Sequence, residues 1–79
     1  MKTLFKHIYF DDVSYLYPER KTQVWECQSV KTNEILGQVM WYSPWRQYCF
    51  HTKADIVLAG SCLTDSAYFV VQLNKEHKK

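Results

Sequence analysis

Hydrophobic and polar positions in this chain alternate with a period of two for most of its length, then switch near residue 61 to helical spacing. Between Gln23 and Val30, Trp25, Cys27 and Ser29 oppose Val24, Glu26, Gln28 and Val30, the pattern of a half-buried strand. From Ile35 to Tyr42 both alternating sets are apolar: Ile35, Val39 and Trp41 against Leu36, Met40 and Tyr42. That predicts a central strand, with Gly37 marking a bulge or a close backbone approach. Gln47 to Thr52 reads as a further strand, and Leu4 to Phe10 as a first one, with Leu4, Ile8 and Phe10 on one face and Asp11-Asp12 ending it.

The punctuation agrees with this division. Val13 to Tyr17 is a short aromatic run closed by Pro18, and "PERKT" follows as a charged turn. "KTNE" makes the next turn, with Asn33 tolerant of left-handed backbone. In "SPW", Pro44 fixes φ and cannot donate to a ladder. "KAD" then separates Thr52 from the short run Ile56 to Ala59. Ser61 is placed to cap a helix. Beyond it Leu63, Ala67, Val70, Val71 and Asn74 share a stripe that Phe69 and Leu73 widen. The lysine-rich end suits the negative pole of the helix dipole, and with no terminating glycine the basic tail, 75–79, is expected to fray. The sum is an α+β chain: a small antiparallel sheet of three to five strands with one C-terminal α-helix packed on one face.

Only 79 residues are present, so a single domain spans 1–79. Such a chain buries about 60% of the surface its unfolded form exposes. Its 47% hydrophobic and 16% aromatic content is that of a folded domain, far from the composition of disorder.

Much of the aromatic content lies in "QVMWYSPWRQYCF", residues 38–50. One helix covers only one face of a sheet, and side chains alternate, so this stretch cannot all point inward. Two readings follow. The outward aromatics are cross-strand pairs steadying a small sheet, or they form a contact patch, since Trp, Tyr and Arg anchor interfaces. The second reading selects Trp41, Tyr42, Trp45, Arg46 and Tyr48, with the Arg46 guanidinium able to stack or to fork onto a carboxylate or phosphate.

Charge narrows the partner. Residues 1–74 hold seven Lys and Arg against seven Asp and Glu, so the formal +2 comes from the tail. A balanced body is not the footprint of a protein that coats duplex DNA. Strand–turn–strand–turn–strand–helix is also the layout of the arm-binding domains of phage-type integrases. The similarity is in element order alone, because Lys31, Arg46 and Lys53 are the only cations between residues 22 and 74. A nucleic-acid binder would place Lys31 and Lys53 on phosphates and stack bases on the aromatics, which needs fewer charges.

Candidate chemistry is sparse. Cys49 and His51 would share a strand face, but no local C-x2-C or H-x3-H chelate accompanies them, so no metal site is expected. A Cys–His nucleophile pair lacks an orienting third group, and a domain this small leaves little room for a substrate pocket. Asp11-Asp12 would point to opposite faces of a strand and reads as a turn instead. Three widely spaced cysteines argue against a disulfide framework and for a reducing, cytoplasmic setting. No run approaches the roughly 18 apolar residues of a membrane span. No cofactor, small-molecule substrate or catalytic residue is expected.

"WYSPWRQYCF" followed by "CLTDSAYFVVQLN" resembles a group of small uncharacterised proteins of bacteria and their phages. Their pattern pairs an aromatic strand with a W-R-x-Y-x-F strand and opens a C-terminal helix on C-L-x-D. Trp41, Tyr42, Trp45, Arg46, Tyr48, Phe50, Cys62, Leu63 and Asp65 match it, over the last half of the chain. His51-Thr52 stands where a proline-containing turn is usual. The resemblance implies a phage or mobile-element origin, and small phage proteins commonly act as stoichiometric binders of host or defence proteins. The expectation is therefore a non-enzymatic binding module that docks its aromatic face on a host protein or on another copy of itself, or alternatively on nucleic acid.

Overall fold

The computed structural model describes residues 1–78. They form one antiparallel sheet of four strands in sequential order: β1 (Ile8–Asp12), β2 (Val24–Ser29), β3 (Ile35–Tyr42) and β4 (Gln47–Thr52), followed by one helix, α1 (Gly60–His77). Sequential order follows from the hairpin connections, tight between β2, β3 and β4 and a longer loop over residues 13–23 between β1 and β2, each of which brings the next strand to its predecessor's edge. The α+β layer pair expected from the pattern is the architecture observed.

Register fixes which side chains face the helix. Phe10 pairs with Cys27 and Cys27 with Gly37; Trp25 pairs with Val39 and Val39 with Phe50; Trp41 pairs with Tyr48. Directly paired residues share a face, so these rows form the helix-covered side. Phe69 of α1 lies on them, stacked on Phe10 at 4.0 Å between ring centroids and edge-on to Trp25 at 5.2 Å. With Ile8, Leu36, Tyr48 and Leu73 they make the core.

The inward stripe of α1 is not the one the sequence pattern suggested. Phe69, Leu73 and Ser66 are buried, whereas Leu63, Ala67 and Val71 are exposed. The two stripes are offset by about one position around the helix, and the aromatic ring decides between them: burying Phe69 removes far more apolar surface than burying Ala67. Nor does Ser61 cap the helix. Ala59 occupies that place without a side-chain bond, and Thr64 Oγ1 donates to the Gly60 carbonyl. The helix continues through Lys75 to His77, and residue 79 of the expected frayed tail lies outside the described residues.

Two register details matter. The β2–β3 pairing shifts between Cys27 and Gln28, which leaves Leu36 as an extra residue on β3, a bulge. Beside it Gly37 is indispensable: a Cβ there would stand 2.5 Å from the His51 carbonyl oxygen and 2.6 Å from the Phe50 ring. Of the two alternatives for Gly37, the close backbone approach is the one found, with the bulge next to it at Leu36. At the other end of the sheet, the first strand is shorter than its sequence pattern. Leu4 bridges to Tyr9, so residues 3–5 fold back along the outer edge of β1, and Asp11 and Asp12 belong to the strand. Val13 to Tyr17 is no strand; Ser14–Leu16 is a 3-10 turn.

That turn begins a loop over the face opposite the helix. Val13 and Val24 are both buried there, outside the helix-side core. The Gln38 amide donates to the Tyr17 hydroxyl at 3.0 Å, and Arg20 Nη2 donates to the Trp41 carbonyl at 3.3 Å. The loop thus crosses β2 to reach β3, and the face left by the helix is only partly open.

Candidate binding surface

Between β3 and β4 the chain turns through Ser43, Pro44 and Trp45 in one 3-10 turn. Pro44 suits this start, because its fixed φ is helical and its missing amide has no partner to lose. Arg46 closes the turn at φ 53°, ψ 47°, and its amide donates to the carbonyls of Tyr42 at 2.9 Å and Ser43 at 3.1 Å. Left-handed backbone there reverses the chain in few enough residues for Tyr42 to pair with Gln47.

The five aromatic and arginine candidates separate in this geometry. Trp45 is 68% exposed and Tyr42 36% exposed, their rings edge-on at 5.2 Å. Tyr42 also meets the His51 ring at 5.8 Å. Arg46, exposed, follows at the tip. These three form a contiguous patch.

Tyr48 does not belong to it, and here the sequence expectation is corrected. Its side chain faces α1 and is only 2% exposed. The hydroxyl accepts from the Gln23 amide at 3.1 Å, and His77 packs edge-on to the ring at 5.5 Å. Its backbone is held as firmly: the amide donates to Asn74 Oδ1 at 2.8 Å, and Asn74 Nδ2 donates to its carbonyl at 3.1 Å. Asn74 thereby satisfies part of the outer edge of β4, as a neighbouring strand would. Trp41 lies on the same covered side, half-buried, edge-on to Tyr48 at 5.3 Å and 4.7 Å from His77.

Lys31 and Lys53 are not beside the patch. Lys31 lies in the β2–β3 turn, and Lys53 follows β4 where its amide donates to the Leu36 carbonyl. Seven residues of β3 separate that end from the Trp45 turn, a distance of about 20 Å at strand rise.

Other cations surround the turn instead. Arg20 is tied to the Trp41 carbonyl, Lys21 follows it, and Lys78 closes the helix end that carries His77 onto Trp41. Sequence reasoning missed this grouping. The loop, the turn and the helix end meet only in three dimensions, and the available signal, a basic helix end, was accounted for by the dipole.

Cys49 and His51 do lie on one face of β4, beneath Tyr42 and Trp45. His51 Nε2 is buried there without a hydrogen-bond partner among the described residues. Among those residues no three His, Cys, Asp or Glu side chains gather in a metal-holding group. Cys27 is a different kind of thiol: burial, with a smaller contribution from nearby Cys62, pushes it from 9.0 up to about 12, so it stays protonated and unreactive. No helix among the described residues is long and apolar enough to cross a membrane.

Comparison with known proteins adds one fact. No family model matches the chain, and no solved structure matches it. A protein of Acholeplasma phage L2, described as an uncharacterized 9.3 kDa protein, is 34% identical over 71 residues, spanning 90% of this chain and 91% of its own. Similarity at that level over almost the whole of both chains is common descent and a common fold, and this chain belongs to the same family as that small phage protein.

Proposed function

We propose that this protein is a small non-enzymatic binding module, phage or mobile-element encoded, that engages a host protein through the β3–β4 turn. Trp45 and Arg46 are its central anchors, and Tyr42 supports the Trp45 ring.

Arg46 is the observation that carries this reading. Among the described residues three other than glycine have positive φ: Asn33 at 59°, Asp55 at 62° and Arg46 at 53°. Asn and Asp tolerate that conformation, since their short side chains bond locally. Arginine has no such compensation, and the left-handed region costs an ordinary residue about 1–2 kcal/mol. The cost falls at the tip of a turn beside the most exposed tryptophan ring, where a long bidentate cation serves binding rather than folding. Trp and Arg are also the residues that most often dominate interface energetics.

The test is capture from a bacterial lysate with immobilised wild type, Trp45→Ala and Arg46→Ala, followed by titration of the purified partner. Each substitution is expected to weaken binding roughly 30-fold or more, about 2 kcal/mol, while circular dichroism stays unchanged. Equal affinity for all three proteins would contradict the placement. A partner that proves to be this chain would make the surface a self-association interface.

A further inference from the structure

We infer that the partner presents a short acidic protein segment, and that the contact surface extends from the Trp45 turn to Arg20 and Lys21 on one side and to the end of α1 on the other. This rests on the binding-module reading and names the chemistry of what is bound.

Charge distribution in the fold is the argument. The end of the molecule that holds the β3–β4 turn carries Arg20, Lys21, Arg46, Lys75 and Lys78 against Asp12, Glu19 and Glu76, five positive and three negative, a net +2. The other described residues hold Lys2, Lys6, Lys31 and Lys53 against Asp11, Glu26, Glu34, Asp55 and Asp65, four positive and five negative, a net −1. A chain that looks nearly neutral in sequence is thus polarised. Cations held by three separate elements converge on one end.

Their placement is specified by contacts. The Arg20 bond to the Trp41 carbonyl brings the loop to the start of the turn, and the tilted contact of His77 with Trp41 brings the last helical turn to its other side. The carbonyls at the end of α1 leave partial negative charge, which Lys75 offsets, and Lys78 adds positive charge beyond it. An acidic segment crossing Trp45 would meet arginine on both flanks, with an apolar ring between. Beyond that end it would meet the net negative remainder, which limits it to a short stretch.

Nucleic acid fits this surface less well. Of the aromatic rings of the β3–β4 hairpin, Trp45 is the most open: Tyr42 is engaged edge-on by Trp45 and His51, and His77 lies against Trp41 and Tyr48. Single-strand binders stack successive bases along a positive groove, whereas this hairpin offers one largely exposed indole.

The experiment is fluorescence anisotropy with two labelled probes, a peptide of alternating glutamate and leucine and an oligothymidylate of the same net charge, each titrated with the full chain. The peptide is expected to bind saturably and more tightly than the oligothymidylate. Its affinity should fall roughly tenfold in Arg20→Ala and Arg46→Ala and again on raising salt from about 50 to about 200 mM. Lys31→Ala and Lys53→Ala should leave it unchanged. Tighter binding of the oligothymidylate would overturn the inference in favour of nucleic acid; no peptide binding, or equal loss in the Lys31 and Lys53 variants, would overturn it outright. The captured partner separates this from the broader reading. If its affinity depends on Trp45 but not on Arg20 or salt, the acidic segment is wrong and the binding module stands; if Trp45→Ala changes nothing either, both fall.

Discussion

The two turns at opposite ends of β3 both contain a left-handed residue, and they are built on different logic. In the β2–β3 turn the residue is Asn33, whose amide donates to the Ser29 carbonyl at 2.8 Å while the Tyr9 hydroxyl donates to its side chain at 3.1 Å. The Thr32 amide donates to Ser29 Oγ, and the Glu34 amide to Thr32 Oγ1. Every polar choice there serves the turn itself. In the β3–β4 turn the left-handed residue is an arginine beside an exposed tryptophan, with no side-chain bond at either end of its 3-10 turn. One turn is optimised for chain reversal. The other is not, and the proposed contact surface rests on that difference.

The sharpest way to test the structural end is Gly37→Ala. A methyl at 2.5 Å from the His51 carbonyl forces the β3–β4 ladder apart, because backbone cannot rotate away as a side chain can. Stability should fall by about 2–3 kcal/mol in urea titration. Trp45→Ala, at the contact end, should change it by less than about 0.5 kcal/mol. If the two costs were equal, the division between a structural and a contact end would fail.

Much of the structural end was legible in the sequence for local reasons. The alternation of β2 and the turn at Asn33 depend on neighbours within a few residues, and a glycine inside a strand pattern already signals the close approach that His51 and Phe50 make to Gly37. The contact end was only half legible. Trp41, Trp45 and Tyr48 look equivalent in a strand–turn–strand pattern, yet Tyr48 is drawn inward by the Gln23 amide and by Asn74, 25 and 26 residues away. The helix stripe was misjudged for the same reason: Phe69 and Leu63 are both apolar at helical spacing, and only the facing Phe10 and Trp25 rings decide which turns in. Cations contributed by the loop and the helix end were likewise invisible along the chain.

A pH-dependent effect belongs to the structural end as well, where Cys27 pairs with Gly37. Its thiol is held near 12 in the folded protein against 9.0 when unperturbed, so above pH 9 the unfolded chain releases a proton that the folded chain keeps. Stability is therefore fully present below pH 9 and is lost between 9 and about 12, by up to about 1.4 kcal/mol per pH unit. Thermal unfolding of Cys27→Ala should show a shallower decline over that range. The reagent-accessible thiols should be Cys49 and Cys62, both only half-buried. An identical slope in wild type and variant would remove Cys27 as its cause.

The most direct measurement is the pair Asn33→Gly and Arg46→Gly, each read for both thermal stability and partner affinity. Glycine adopts positive φ freely. Arg46→Gly should therefore be neutral or stabilising, by up to about 1 kcal/mol, while weakening partner binding roughly 30-fold. Asn33→Gly should leave binding intact and gain less, because asparagine already suits its turn. An Arg46→Gly protein that is destabilised, or that binds its partner as well as wild type, would show that this arginine serves the fold and would contradict the account.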